Sequence, residues 1–245
     1  MVLSRWSNFC VKISIVKFLK EWWAQWREYL AEFLATLIFI FVASLALLSN
    51  QIYGQIGAVG ISLSIGLVYT SLVFASVQSA GGYLNPAVTL ALWLCGRLSH
   101  AKTVSFIVVQ ILASFSAAFL LHLIFGQAAL QFLLGAPTLG VGVDLISAVV
   151  VEAILTAGLV FVIFATAVDR NGPVSFAPLA LGLYVVAATL VALPISGAAF
   201  NPARVIGPLV LAKSYDSLAV WLIGPLGGSL MSIVYETAFL RRGRK

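Results

Sequence analysis

The sequence predicts an all-α membrane protein of six transmembrane helices plus two half-length helices, arranged as an inverted repeat. Three observations point there. Of 245 residues, 62% are hydrophobic and 9% charged, at a mean hydropathy of +1.08, whereas about 25% of residues are charged in ordinary soluble domains. Several apolar runs approach the ~20 helical residues that cross a hydrocarbon layer roughly 30 Å thick. The tripeptide Asn-Pro-Ala occurs twice, at 85–87 in "GGYLNPAVTL" and at 201–203 in "GAAFNPARVI".

The six spans are expected at 29–49, 55–76, 103–125, 144–168, 175–193 and 217–240. Between the second and third, and between the fifth and sixth, an apolar segment opens at each Asn-Pro-Ala. These segments, Pro86 to Gly96 and Pro202 to Ala212, are half-length: about 11 residues at 1.5 Å each reach roughly 15 Å. They can dip into a bilayer but cannot cross it.

The net charge of +6 is distributed as membrane topology requires, not as a nucleic-acid surface. Arg5, Lys12, Lys17, Lys20 and Arg27 precede the first span, and Arg97 and Lys102 follow the second. Arg170 lies between the fourth and fifth, and Arg241, Arg242, Arg244 and Lys245 close the chain. With an even number of spans these fall on one side, Lys213 falls on the other, and Arg204 sits in the second dipping segment. The positive-inside rule then puts both termini in the cytoplasm, with the cell (plasma) membrane as the expected location. Residues 1–28 place Val16, Leu19, Trp22, Trp23 and Trp26 on one helical face, as expected of an amphipathic segment lying on the inner membrane surface.

The two halves repeat, one at 29–125 and the other at 144–240, with 241–245 as a basic tail. "AEFLATLIFIFV" and "VEAILTAGLVFVIF" place Glu32/Thr36 and Glu152/Thr156 in register. Three spans per half invert the second copy, which brings the functional site between the halves, near the midplane. Cys10 and Cys95 offer no disulfide framework, and His100 and His122 are far apart in sequence. No metal or cofactor is expected, and no nucleophile–base pair marks an enzyme.

The tripeptide has a physical purpose. A helix beginning inside a bilayer exposes backbone N–H groups that no water satisfies. Asparagine is among the best N-caps and proline suits the next position, so Asn85–Pro86–Ala87 and Asn201–Pro202–Ala203 are helix starts. Once its oxygen caps the helix, each amide keeps its NH₂ group as a donor. Two such donors and two positive helix ends meeting between the halves suit a small uncharged molecule and repel cations. Gly81 and Gly82, and Gly197 with Ala198 and Ala199, let backbone carbonyls line the passage.

From Tyr29 to Leu240 these motifs resemble the aquaporins, members of the major intrinsic protein family. The resemblance implies an aquaporin-like right-handed bundle, one pore per subunit, a homotetramer, and water with small neutral solutes as permeants. It places Asn85 and Asn201 at the pore centre and Arg204, in "NPAR", in an outer selectivity filter. Counting back along the family pattern assigns Ile65, Thr189 and Ala198 to the same filter. Strict water channels typically have phenylalanine, histidine and cysteine there. Ile-Thr-Ala-Arg resembles the filters of some plant X-type members, which implies a wider, more apolar opening in a chain expected to be a prokaryotic-like or divergent member. Hydrogen peroxide, ammonia and urea are the expected additional solutes. The resemblance also gives Glu32 and Glu152 the task of holding the pore loops. Tyr83, where many relatives have histidine, is a candidate cytoplasmic constriction. A glycerol or polyol facilitator is the alternative, although such channels commonly have aspartate where this chain has Val205. An ion-coupled secondary transporter is more distant, because positive helix ends oppose a coupling cation.

Overall fold

The computed structural model describes residues 22–240. Most of the amphipathic segment expected at 1–28, and the basic tail at 241–245, lie outside the described residues. The chain is helical: α1 (Trp26–Tyr53), α2 (Gly57–Ser76), α3 (Pro86–Leu94), α4 (His100–Phe125), α5 (Gln127–Gln131), α6 (Leu145–Ile163), α7 (Ala177–Ser196), α8 (Ala203–Leu211), α9 (Leu218–Gly228) and α10 (Met231–Tyr235). Among the described residues, six segments are long and apolar enough to cross a membrane: Trp26–Tyr53, Gly57–Ser76, His100–Phe125, Leu145–Val168, Val174–Ser196 and Leu218–Leu240.

Local chemistry sets the ends. Ser99 caps α4 by accepting from Lys102 N, and Asp144 caps α6 by accepting from Ser147 N. Gly54 ends α1 at a φ of 70°, a left-handed conformation that costs glycine little. The sixth span is interrupted between Gly228 and Met231; Gly227 and Gly228 weaken the helix just before the break, and Pro225, inside α9, has no backbone donor to give.

In a bilayer, helices associate through close packing instead of water expulsion, and small residues permit it. A Cβ on Gly182 would overlap the Thr70 hydroxyl, and one on Gly66 would overlap Val186. This contact locks α2 against α7, the most extensive helix pair among the described residues. Gly224 and Gly228 do the same for α9 against α6, where a Cβ would strike Glu152 and Thr156. The outward faces carry Leu63, Leu67 and Phe74 on α2 and Leu183, Leu190 and Val191 on α7, as a lipid-facing surface requires.

α3 and α8 are the two half-length helices, nine residues each. They stop two residues and one residue short of the expected ends at Gly96 and Ala212. Gly96, at φ 69°, turns the chain out of α3, and Lys213, at φ 55°, does so after α8. α8 packs mainly on α4, whereas α3 divides its contacts among α4, α10, α9 and α6.

Candidate functional site

Each asparagine caps its own half-helix. Asn85 Oδ1 accepts from Ala87 N and Asn201 Oδ1 accepts from Ala203 N, both at 2.9 Å. The amides then cross between the halves: Asn85 Nδ2 donates to the Phe200 carbonyl and Asn201 Nδ2 to the Leu84 carbonyl, both at 2.8 Å. The sequence leaves both amide NH₂ groups as donors; the fold spends one hydrogen of each on the opposite loop and keeps one. Leu84 and Phe200 immediately precede the asparagines and sit at positive φ, 54° and 33°. Non-glycine residues in this region are strained, and such strain persists where the surroundings over-determine it.

Two buried carboxylates over-determine it. Glu32 Oε1 accepts from Leu84 N at 2.6 Å and from Gln110 Nε2 at 2.7 Å, while Oε2 accepts from Tyr83 N at 3.4 Å. Glu152 Oε1 accepts from Ser196 Oγ at 2.7 Å and Ala199 N at 2.9 Å, and Oε2 accepts from Phe200 N at 2.6 Å. These carboxylates take up the loop N–H groups, and the carbonyls of Leu84 and Phe200 accept from the opposite asparagine. Thr36 and Thr156, one turn beyond the glutamates, are both fully buried.

Arg204 is buried on the first turn of α8. Its Nη1 donates to the Ala198 carbonyl at 2.6 Å and to the Ala199 carbonyl at 3.4 Å. Among the described residues Nη2 has no hydrogen-bond partner, and neither does the Thr189 hydroxyl. Ile65, Thr189 and Ala198 are each fully buried, and Ile65 and Ala198 belong to one apolar cluster with Phe200 and Ala203. Direct bonding joins only Arg204 and Ala198 among these four positions.

Tyr83 packs edge-on against Phe106, with ring centroids 5.1 Å apart. It folds back so closely over Gly81 that a Cβ there would strike the tyrosine ring. It borders a cavity of about 600 Å³ lined also by Val73, Gly82, Val88, Leu181 and Arg97.

Several supporting side chains escape sequence reasoning. Gln110 Nε2 bridges Glu32 and, at 3.0 Å, Thr89 Oγ1, which in turn donates to the Asn85 carbonyl. Ser114 donates to the Ala203 carbonyl and accepts from Gly207 N at 2.8 Å, pinning α8 to α4. Ser196 joins Glu152 to Trp221, whose Nε1 donates to the Ser196 carbonyl at 2.8 Å. The available signal is a lone amide or hydroxyl within an apolar span, which demands a buried partner.

Six spans enclosing two half-helices that start head to head define a polytopic membrane protein of the channel type. The Major intrinsic protein family model matches residues 19–235, and the chain belongs to that family. Similar plant proteins include Aquaporin TIP2-1 of Arabidopsis thaliana, 36% identical with 89% of each chain covered. Aquaporin TIP2-3 of Zea mays is 37% identical, again over 89% of each chain. The X-ray structure of the aquaglyceroporin from Plasmodium falciparum superposes with a TM-score of 0.74 at 22% identity, covering 89% of this chain and 98% of that one. That likeness is one of fold.

Proposed function

We propose that this family member is a passive channel for water and small neutral solutes such as hydrogen peroxide, ammonia and urea, closed to ions and protons. One observation carries the reading: Asn85 and Asn201 each bond the loop carbonyl before the other, at 2.8 Å. That places two helix N-termini and two remaining amide hydrogens together. The positive ends favour lone pairs and oppose cations. Ile65, Thr189, Ala198 and Arg204 form the outer filter, Tyr83 narrows the cytoplasmic mouth, and Glu32 and Glu152 hold the loops.

The organisation follows the same proposal. Residues 1–28 form a cytoplasmic surface segment, 29–240 the channel with repeats at 29–125 and 144–240, and 241–245 a cytoplasmic tail. The chain is a divergent member that assembles as a homotetramer in the plasma membrane, with both termini inside. Stacking of Trp22 on Tyr29, centroids 5.5 Å apart, and the Lys102–Glu28 ion pair at 2.6 Å support an anchor at that surface.

Stopped-flow light scattering on proteoliposomes tests the reading. The expected result is protein-dependent water flux without proton or sodium current. The Thr189→His, Ala198→Cys double variant should narrow the filter and lower urea and ammonia flux relative to water. An ion current comparable with the water flux would overturn the channel reading, and an unchanged solute-to-water ratio in the variant would overturn the filter assignment.

A further inference from the structure

Below the proposed filter, two helix faces run side by side. On α2, Ile65, Tyr69 and Val73 are spaced four apart and all buried, while on α7 the matching series is Leu181, Val185 and Thr189. Four residues of helix rise about 6 Å. Val73 and Leu181 both line the 600 Å³ cavity, and the filter positions Ile65 and Thr189 lie two turns away at the other end. The Gly66, Thr70 and Gly182 contacts fix the register of the helices between these ends. Tyr69 therefore stands opposite Val185, between filter and cavity.

Its hydroxyl is anomalous. Tyr69 is 2% exposed, and its Oη has no hydrogen-bond partner among the described residues. Its ring is fixed edge-on against Phe39, with centroids 5.2 Å apart. Phenolic hydroxyls buried in protein interiors normally find a partner; the buried Glu32 carboxylate is near enough to act on this one electrostatically but does not bond it. The hydroxyls of Tyr69 and Thr189 and Nη2 of Arg204 are alike buried and unpaired among the described residues, and all three lie on the elements that bound the proposed passage. Groups left unpaired by the protein along a passage are the ones available to a permeating molecule.

We infer that Tyr69 is a second selecting residue of this pore, one helical turn inside the Ile65 filter position. Its ring supplies the aromatic bulk that Ile65 and Ala198 lack, and its hydroxyl hydrogen-bonds the small polar permeant. This rests on the channel reading above. The class selected is water and small neutral amides or amines; polyols with longer carbon chains are excluded by the ring.

Full-length wild type, Tyr69→Phe and Tyr69→Leu are to be reconstituted and their water, urea and glycerol permeabilities measured. Tyr69→Phe keeps the ring, and its urea-to-water ratio should fall about fivefold, the equivalent of one net hydrogen bond. Tyr69→Leu removes the ring, and its glycerol-to-water ratio should rise by at least as much. Wild-type liposomes without protein-dependent water flux would overturn the channel reading and this role together. Conducting variants that keep both wild-type ratios would overturn the role of Tyr69 alone. Should Tyr69→Leu fail to reconstitute, the near-isosteric Tyr69→Phe decides by its urea ratio.

Discussion

The two half-helix sites share a backbone and differ in their supports. In both, an asparagine caps its helix at 2.9 Å and crosses to the opposite carbonyl at 2.8 Å. In the first half the carboxylate of Glu32 is braced by Gln110 from α4, and its second loop contact, Tyr83 N, is long at 3.4 Å. In the second half Glu152 is braced by Ser196, the last residue of α7, and both backbone contacts are short. α8 is further pinned to α4 through Ser114, and it carries Arg204. The difference teaches that the symmetric element is the cap, whereas the tighter half is the one that holds the cation. If Arg204 acts in the proposed filter, its bond to the Ala198 carbonyl calls for a loop held this firmly.

The largest expected effect tests that asymmetry directly. In Glu152→Gln one end of the side chain becomes a donor, so either Phe200 N or the Ser196–Ala199 pair loses its acceptor. Stranding a buried donor costs about 1–3 kcal/mol. In Glu32→Gln, Oε1 can keep Leu84 N and Gln110, and only the long Tyr83 contact is lost. Thermal unfolding of purified protein should rank Glu152→Gln well below Glu32→Gln, with wild type highest. Equal losses would mean that the two loops are held equally despite their geometry.

How much of this was readable in advance follows from the range of each interaction. The six spans were legible because length and apolarity are properties of one segment, and the helix starts were legible because Asn-Pro caps act within three residues. The Glu32 and Glu152 contacts lie about 50 residues away in sequence. They were anticipated through the family resemblance, not from the residues alone. Gln110 and Ser114 were not anticipated, because a single polar residue in an apolar run has no local partner to reveal its target. Nor was Tyr69, whose significance comes from the hydrogen bond it lacks. The crossing of the asparagine amides was hidden for another reason: it joins residues of opposite halves, and nothing local distinguishes a free NH₂ from one half spent.

A smaller effect sharpens the comparison at the junction of α4 and α8. Ser114→Ala removes the acceptor of Gly207 N and the donor to the Ala203 carbonyl. The space is tight, since a Cβ on Gly207 would overlap the Ser114 backbone, so α8 has little room to relax. The expected cost is about 1–2 kcal/mol, together with a higher urea-to-water ratio as Arg204 loses its fixed base. The corresponding loss of a hydroxyl in Thr89→Val, which frees Gln110 from α3 and removes the Thr89 bond to the Asn85 carbonyl, should cost similar stability and leave that ratio unchanged. Proteoliposome flux ratios for the two variants decide whether support for α8 is also support for selectivity.

The smallest effect lies where the two halves begin. α1 starts at Gln25 with no side-chain cap, whereas α6 starts at Asp144, whose Oδ1 accepts from Ser147 N at 2.9 Å and Oδ2 from Ser147 Oγ at 2.6 Å. The Ser147 hydroxyl first, then the Ser147 N–H, holds this exposed carboxyl below the usual carboxylate range. A carboxyl depressed in the folded state stabilises it at pH values above the unfolded value of about 3.9, and that contribution fades as pH falls through the folded value. Asp144→Asn keeps a cap through its amide oxygen but carries no charge to lose. Wild type should therefore melt slightly above Asp144→Asn near neutrality, with the gap closing as the buffer is taken below about pH 4. The mirror variant Gln25→Asp should gain a small, equally acid-sensitive increment if its backbone admits the cap. A gap between wild type and Asp144→Asn that persists unchanged into acid would show that Ser147 binds the side chain without regard to its charge. The two halves would then differ at their entrances in shape alone.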